Sequence, residues 1–168
     1  TPPAQSAICV FRVSGEGCLT AIPELFSSQL DKPRFFYKTE MLNKGEFVDS
    51  VAVVFFEGPK SFTGEDSFEV YAHGGLAVMS KVVEAFDAVG FEEAGPGEFS
   101  KRAFLNNKIT LSQAEAVSDL ISATSKEEAS KVSLVLSGDF ESRVFDFSGR
   151  LDALRCLLYT SDAADDLY

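Results

Sequence analysis

Residues 34–56 read RFFYKTEMLNKGEFVDSVAVVFF, and they decide the fold. Two runs rich in aromatic and β-branched residues, Arg34 to Met41 and Phe47 to Phe56, flank Asn43-Lys44-Gly45, a turn signal because Asn and Gly tolerate the positive φ of a tight hairpin. A strand pair is predicted there. Upstream, Ala7 to Val13 (AICVFRV) reads as a further strand closed by Ser14-Gly15, with Arg12 as the one charge inside it. Downstream, in Ser67 to Ala72 (SFEVYA), Phe68, Val70 and Ala72 alternate with Ser67, Glu69 and Tyr71. Strand period therefore puts Glu69 on the face opposite Phe68 and Val70.

Between and after these strands the period changes. Leu19 to Leu30, with Pro23 near its start and Lys32-Pro33 after it, predicts a short helix. Leu76, Met79, Val82, Val83 and Phe86 recur at helical spacing, and Gly90 supplies the stop. A short strand is expected at Phe91 to Ala94, then a helix from Glu98 to Asn106 behind Gly95-Pro96-Gly97. Thr110 with Gln113, and Ser125 with Glu128, fit the capping box and each start a helix. In the second of these, apolar residues from Ala129 to Leu154 step by three or four, which predicts one helix of about seven turns. The fold class is α+β: a mixed β-sheet with packed helices, followed by a long-helix segment whose apolar stripe would need further helices to cover it. The domains expected are 1–109, 110–155 and a tail at 156–168.

The chain has 168 residues, 45% hydrophobic and 24% charged, with sixteen Phe; this suits a globular core and excludes disordered or collagen-like classes. Fifteen Lys and Arg against 26 Asp and Glu give 15 − 26 = −11, a charge that repels a phosphate backbone and argues against unaided nucleic-acid binding. Cys9, Cys18 and Cys156, an odd number without metal-ligand spacing, point to a reducing compartment and away from structural zinc. No run approaches the roughly 20 apolar residues of a membrane span, so a cytoplasmic location without membrane contact is expected. The start, Thr1-Pro2-Pro3-Ala4-Gln5-Ser6, reads as a chain cut at its beginning. Cys156 to Tyr168 (CLLYTSDAADDLY) looks like translated sequencing adapter, a non-native tail. Without its three Asp the charge is −11 + 3 = −8, still acidic.

Several motifs carry possible chemistry. Gly58-Pro59-Lys60-Ser61 ends like a phosphate-binding loop, but Pro59 offers no amide hydrogen, and turn chemistry suffices. His73-Gly74-Gly75 could face an oxyanion; with no GxSxG elbow and no second histidine, a strand-to-helix turn with a satisfied imidazole is favoured. Neither a catalytic residue nor a metal site is predicted. Glu69 is either a solvent-facing carboxylate or an acceptor of two parallel hydrogen bonds from the amino-pyrimidinone edge of a pterin or guanine. Arg12 is either a snorkelling residue or a donor aimed at a carboxylate, and Lys108 reads as solvated.

Taken together, TPPAQSAICVFRVSG at 1–15, FFEGPKSFTGEDSFEVYAHGG at 55–75 and AGPGEFSKRAFLNNKITLSQAEAVSDLI at 94–121 resemble the tRNA modification GTPase MnmE (TrmE) family, over essentially residues 1–155. The resemblance implies a tetrahydrofolate-binding-like domain that mediates homodimerisation and binds 5-formyltetrahydrofolate or a related reduced folate, followed by the opening of a helical domain. It further implies that GTP, magnesium and potassium belong to a G domain beyond this chain. The implied partners are a second copy, the flavoprotein MnmG (GidA) and, through the full complex, tRNA modified at C5 of its wobble uridine. The family's folate contacts fall on Arg12, Glu69 and Lys108. Its C-terminal CxGK contact has no counterpart here, and Ala4-Gln5-Ser6-Ala7 stands where many members have a Gly-rich run. A rival is a free-standing one-carbon transferase related to aminomethyltransferases, with Asp66 as its acid or base. A third reading is a pure dimerisation module with a vestigial pocket.

Overall fold

The hairpin at Asn43 sets the sheet. A computed structural model describes residues 5–165, with side chains to residue 159; residues 1–4 and 166–168, which include most of the Pro-Pro start and the end of the segment read as a tail, lie outside the described residues. Strands β2 (Tyr37–Asn43) and β3 (Glu46–Phe56) pair antiparallel, closed by Lys44 and Gly45 at φ 50° and 85°. Both central residues at positive φ match the right-handed twist of the strands. Strands β1 (Ile8–Ser14) and β4 (Ser67–His73) complete a sheet of order β1-β4-β3-β2, and each of its three described pairings is antiparallel.

Alternation gives the sheet two different faces. Phe68, Val70 and Ala72 are buried with Val51, Val53 and Phe55 under helices α1 (Ile22–Leu25) and α2 (Leu76–Ala88). Phe68 is fully buried and makes edge-on or tilted contacts with Phe26, Phe86 and Phe91 at 6.0–6.2 Å, the geometry the aromatic quadrupole favours. Truncating such a side chain costs about 3–5 kcal/mol. Arg12, Glu69 and Tyr71 fall on the opposite face, which carries the candidate site. Cys9 and Cys18 are buried; burial, seconded by Asp66, pushes the Cys18 thiol up to about 11.

Three expected elements differ. The helix read over Leu19 to Leu30 is a 3₁₀ turn, Cys18–Ala21, and the single turn of α1. Phe26 then takes an extended φ of −130°, bridges to Met41 and buries its ring, because an edge of β2 offers both backbone partners and core. No strand forms at Phe91 to Ala94. Phe91 instead closes a Schellman motif: its N–H donates to the Phe86 carbonyl at 3.1 Å, Gly90 sits at φ 87°, and the two rings meet at 6.0 Å. The apolar residue there serves the hydrophobic contact of the C-cap.

The chain divides into two compact units, residues up to Ile109 and those from Thr110 on. Within the second unit, α4 (Leu111–Ser122) opens on the expected capping box: Gln113 N–H donates to Thr110 Oγ1 at 3.3 Å, and Thr110 N–H to Gln113 Oε1 at 3.0 Å. The long helix is in fact two. Helix α5 (Lys126–Leu136) stops where Gly138 takes φ 80° and donates to the Val135 carbonyl, and α6 (Asp139–Asp165) restarts there. The apolar spacing runs on across this break, which hid it. Helix α6 continues through Cys156 into the segment read as a tail. Among the described residues no helix is long and apolar enough to cross a membrane.

Candidate functional site

On the face of the sheet away from α2, Arg12 of β1 stands opposite Glu69 of β4 in register. Arg12 Nε donates to Glu69 Oε1 at 2.8 Å, and Tyr71 Oη donates to Glu69 Oε2 at 2.5 Å. That bond, foremost, holds the Tyr71 phenol above its ordinary range, so it stays a donor. The Arg12 side chain is 63% exposed and that of Glu69 20%: the carboxylate lies at the floor and the guanidinium reaches out beside it. An ionised carboxylate has about four lone-pair sites. Two remain for a ligand.

The site is closed by the loop between β3 and β4. Gly58 N–H donates to Asp66 Oδ1 at 2.9 Å, and Thr63, buried, meets Ser14 Oγ at 2.6 Å. Asn106 Nδ2 donates to the Thr63 carbonyl at 2.8 Å. This ties the loop to the end of helix α3 (Glu98–Leu105). At that end Asn107, at φ 54°, closes a second Schellman motif: Asn107 N–H donates to the Phe104 carbonyl and Lys108 N–H to the Ala103 carbonyl at 2.8 Å. The motif aims Lys108 back at the loop, where its Nζ donates to the Pro59 carbonyl at 2.9 Å. Gly64, at φ 80°, lies under the lysine stem, and a Cβ there would come within 3.1 Å of Lys108 Cγ. Arg102 anchors α3 itself, donating to Glu98 Oε1, to Glu65 Oε2 and to the Ser14 carbonyl.

These elements enclose a cavity of about 590 Å³ lined by Arg12, Glu69 and Lys108 together with Arg34, Lys60, Phe56, Phe62 and Phe99. The volume is that of pockets that hold drug-sized ligands. The walls suit a flat aromatic ligand and the floor an edge with two adjacent donors. The three residues expected to act together thus line one cavity. Sequence reasoning missed Arg34, Lys60, Phe62 and Tyr71. Only Tyr71 was signalled, by its strand period with Glu69; the others come from loops that only the folded chain brings together.

Two other candidates resolve as structural. His73 N–H donates to Asp49 Oδ2 at 2.9 Å, and its Nδ1 lies 2.8 Å from Asp49 Oδ1. The imidazole is satisfied, at the turn into α2. Gly74 is required there because a Cβ would come within 2.5 Å of the Ser6 carbonyl oxygen. Asp66, the acid or base of the rival transferase, is engaged with the Gly58 amide and is not among the cavity's lining residues. Among the described residues no group of three or more His, Cys, Asp or Glu is placed to hold a metal ion.

Comparison with known proteins matches residues 1–108 to the family described as GTP-binding protein TrmE N-terminus. The chain belongs to this family. It is 40% identical over 159 residues to the tRNA modification GTPase MnmE of Nitrosococcus oceani, covering 94% of this chain and 34% of that protein. The corresponding protein of Bordetella avium is 41% identical over 162 residues, covering 94% and 36%, and that of Coxiella burnetii 40% over 161, covering 96% and 35%. The chain spans about a third of the length of these curated relatives. It corresponds to the N-terminal domain of the MnmE family, joined to further helices.

Proposed function

We propose that this domain binds 5-formyltetrahydrofolate or a related reduced folate, and that the longer protein uses it to modify C5 of the wobble uridine in tRNA. The observation that carries the reading is the convergence of Arg12, Glu69 and Lys108 on one cavity with aromatic walls. The residues fit the ligand. Glu69 retains acceptor sites for the paired donors of the pterin edge, Arg12 and Tyr71 hold its carboxylate in one orientation, and Phe62, 52% exposed at the cavity, offers a ring face. Lys108 offers a cation to the acidic half of the ligand. When bound, the folate would supply the one-carbon unit. This chain's own residues bind, orient and balance charge.

The larger setting rests on the family resemblance. The longer protein would act as a homodimer with the flavoprotein MnmG, in the cytoplasm. GTP hydrolysis, with its magnesium and potassium, would fall to the part of the longer relatives that this chain does not span. With a net charge of −11, this chain is a poor platform for tRNA by itself, so tRNA would be held by the assembled complex.

Calorimetric titration with 5-formyltetrahydrofolate tests the reading. Glu69→Gln replaces one acceptor by a donor that faces the pterin's own donors. Loss of a charge-assisted pair should cost roughly 2–3 kcal/mol, or ~30- to 150-fold in affinity. Equal binding by parent and variant, both folded by circular dichroism, would make Glu69 a bystander.

A further inference from the structure

The charges lining the cavity do not balance. Arg12, Arg34, Lys60 and Lys108 line it against the single carboxylate of Glu69, in a chain whose net charge is −11. Among the described residues only Arg12 of these four has a carboxylate partner. Arg34 and Lys108 instead donate to main-chain carbonyls of the same loop, Arg34 Nη2 to Lys60 at 2.6 Å and Lys108 Nζ to Pro59 at 2.9 Å. Arg34 is further held by its own N–H on the Phe55 carbonyl at 2.8 Å, with its backbone at φ 62°, a conformation disfavoured without glycine. The Arg34 guanidinium is thereby held against the Lys60 main chain, and both residues are exposed where they line the cavity.

We propose that this rim is a subsite for a polyanionic tail, and that the preferred ligand is a reduced folate carrying more than one γ-linked glutamate. The inference rests on the folate reading above. With Arg12 neutralised by Glu69, three cations are left over, Arg34, Lys60 and Lys108. A monoglutamyl folate has two tail carboxylates, and each added γ-glutamyl residue contributes one more. The third cation therefore matches a tail at least one glutamate longer. Because the rim is exposed, the attraction is screened by salt within a Debye length of about 10 Å at 0.1 M.

The test is calorimetric titration of the 168-residue chain with monoglutamyl and triglutamyl 5-formyltetrahydrofolate, at about 0.05 M and 0.3 M salt. The triglutamyl form should bind about 5- to 20-fold tighter at low salt, an advantage that shrinks at high salt. Lys60→Gln and Arg34→Gln should each cut the ratio of the two affinities by about two- to fivefold, the size of an exposed ion pair. Equal binding of the two forms overturns this inference and leaves the folate reading standing, as does a preference that survives intact in the double variant. If neither form binds to folded protein, both fall together.

Discussion

Arg12 and Glu69 face each other across the β1–β4 pair, Nε to Oε1 at 2.8 Å, with Glu69's other oxygen held by Tyr71. This arrangement keeps an acid at the floor of an otherwise cationic cavity. As an exposed pair it adds little to the fold: about 0–1 kcal/mol. Arg12→Met should therefore lower the unfolding free energy obtained from urea denaturation by no more than that, while folate binding weakens. A loss well above 1 kcal/mol in chemical denaturation would mean that the arginine is a structural residue.

Gly64 tests the placement of Lys108. Gly64→Ala meets both the positive φ of 80° and contacts at 3.1–3.2 Å with Lys108 and Asn106. Gly90→Ala meets a similar φ of 87° with open space around it. The conformational cost is about 1–2 kcal/mol in each, and only Gly64→Ala should also lower folate affinity. Denaturation and titration of both variants would show this; an equal loss of affinity in both would break the link between Gly64 and Lys108.

Glu98 gives the stability a pH dependence. Its carboxyl is held below the usual 4.5 by the Arg102 guanidinium first and by the Gly95 amide next. A folded-state value below the unfolded one stabilises the fold above the unfolded value, and that contribution is lost as pH falls through the folded one. Between pH 7 and 3 the parent should lose more stability than Glu98→Gln, measured by urea denaturation at each pH. Parallel profiles would contradict the pairing.

How much of this was legible in the sequence depends on the range of the forces involved. Strand alternation placed Glu69 opposite Phe68, and the capping box at Thr110 located α4, because both are local patterns. Phe26, Phe91 and Gly138 escaped: the first two are apolar for tertiary reasons, and Gly138 interrupts a stripe whose spacing continues past it. Arg12 and Glu69 each had an ambiguous reading alone, and only the β1–β4 register joins them. Arg34 and Lys60 come from separate loops, so no periodicity could have paired them.

Helix α6 carries a liability. Phe140, Val144, Phe147, Leu151 and Leu154 are all at least half exposed, a row at helical spacing of the kind that drives association when it forms a patch of several hundred Å². Light scattering of the untagged chain should show concentration-dependent association with a second copy that falls when the chain is ended at Gly138. An unchanged size at both lengths would show that the row is not adhesive.

The most direct test of the site is a crystal structure of the chain grown with 5-formyltetrahydrofolate. The pterin edge should lie within hydrogen-bond distance, about 2.7–3.2 Å, of Glu69 Oε1 and Oε2, with the glutamate tail running toward Lys108 and the Arg34–Lys60 rim. A folate bound at full occupancy elsewhere, leaving the Arg12–Glu69 floor untouched, would contradict the account.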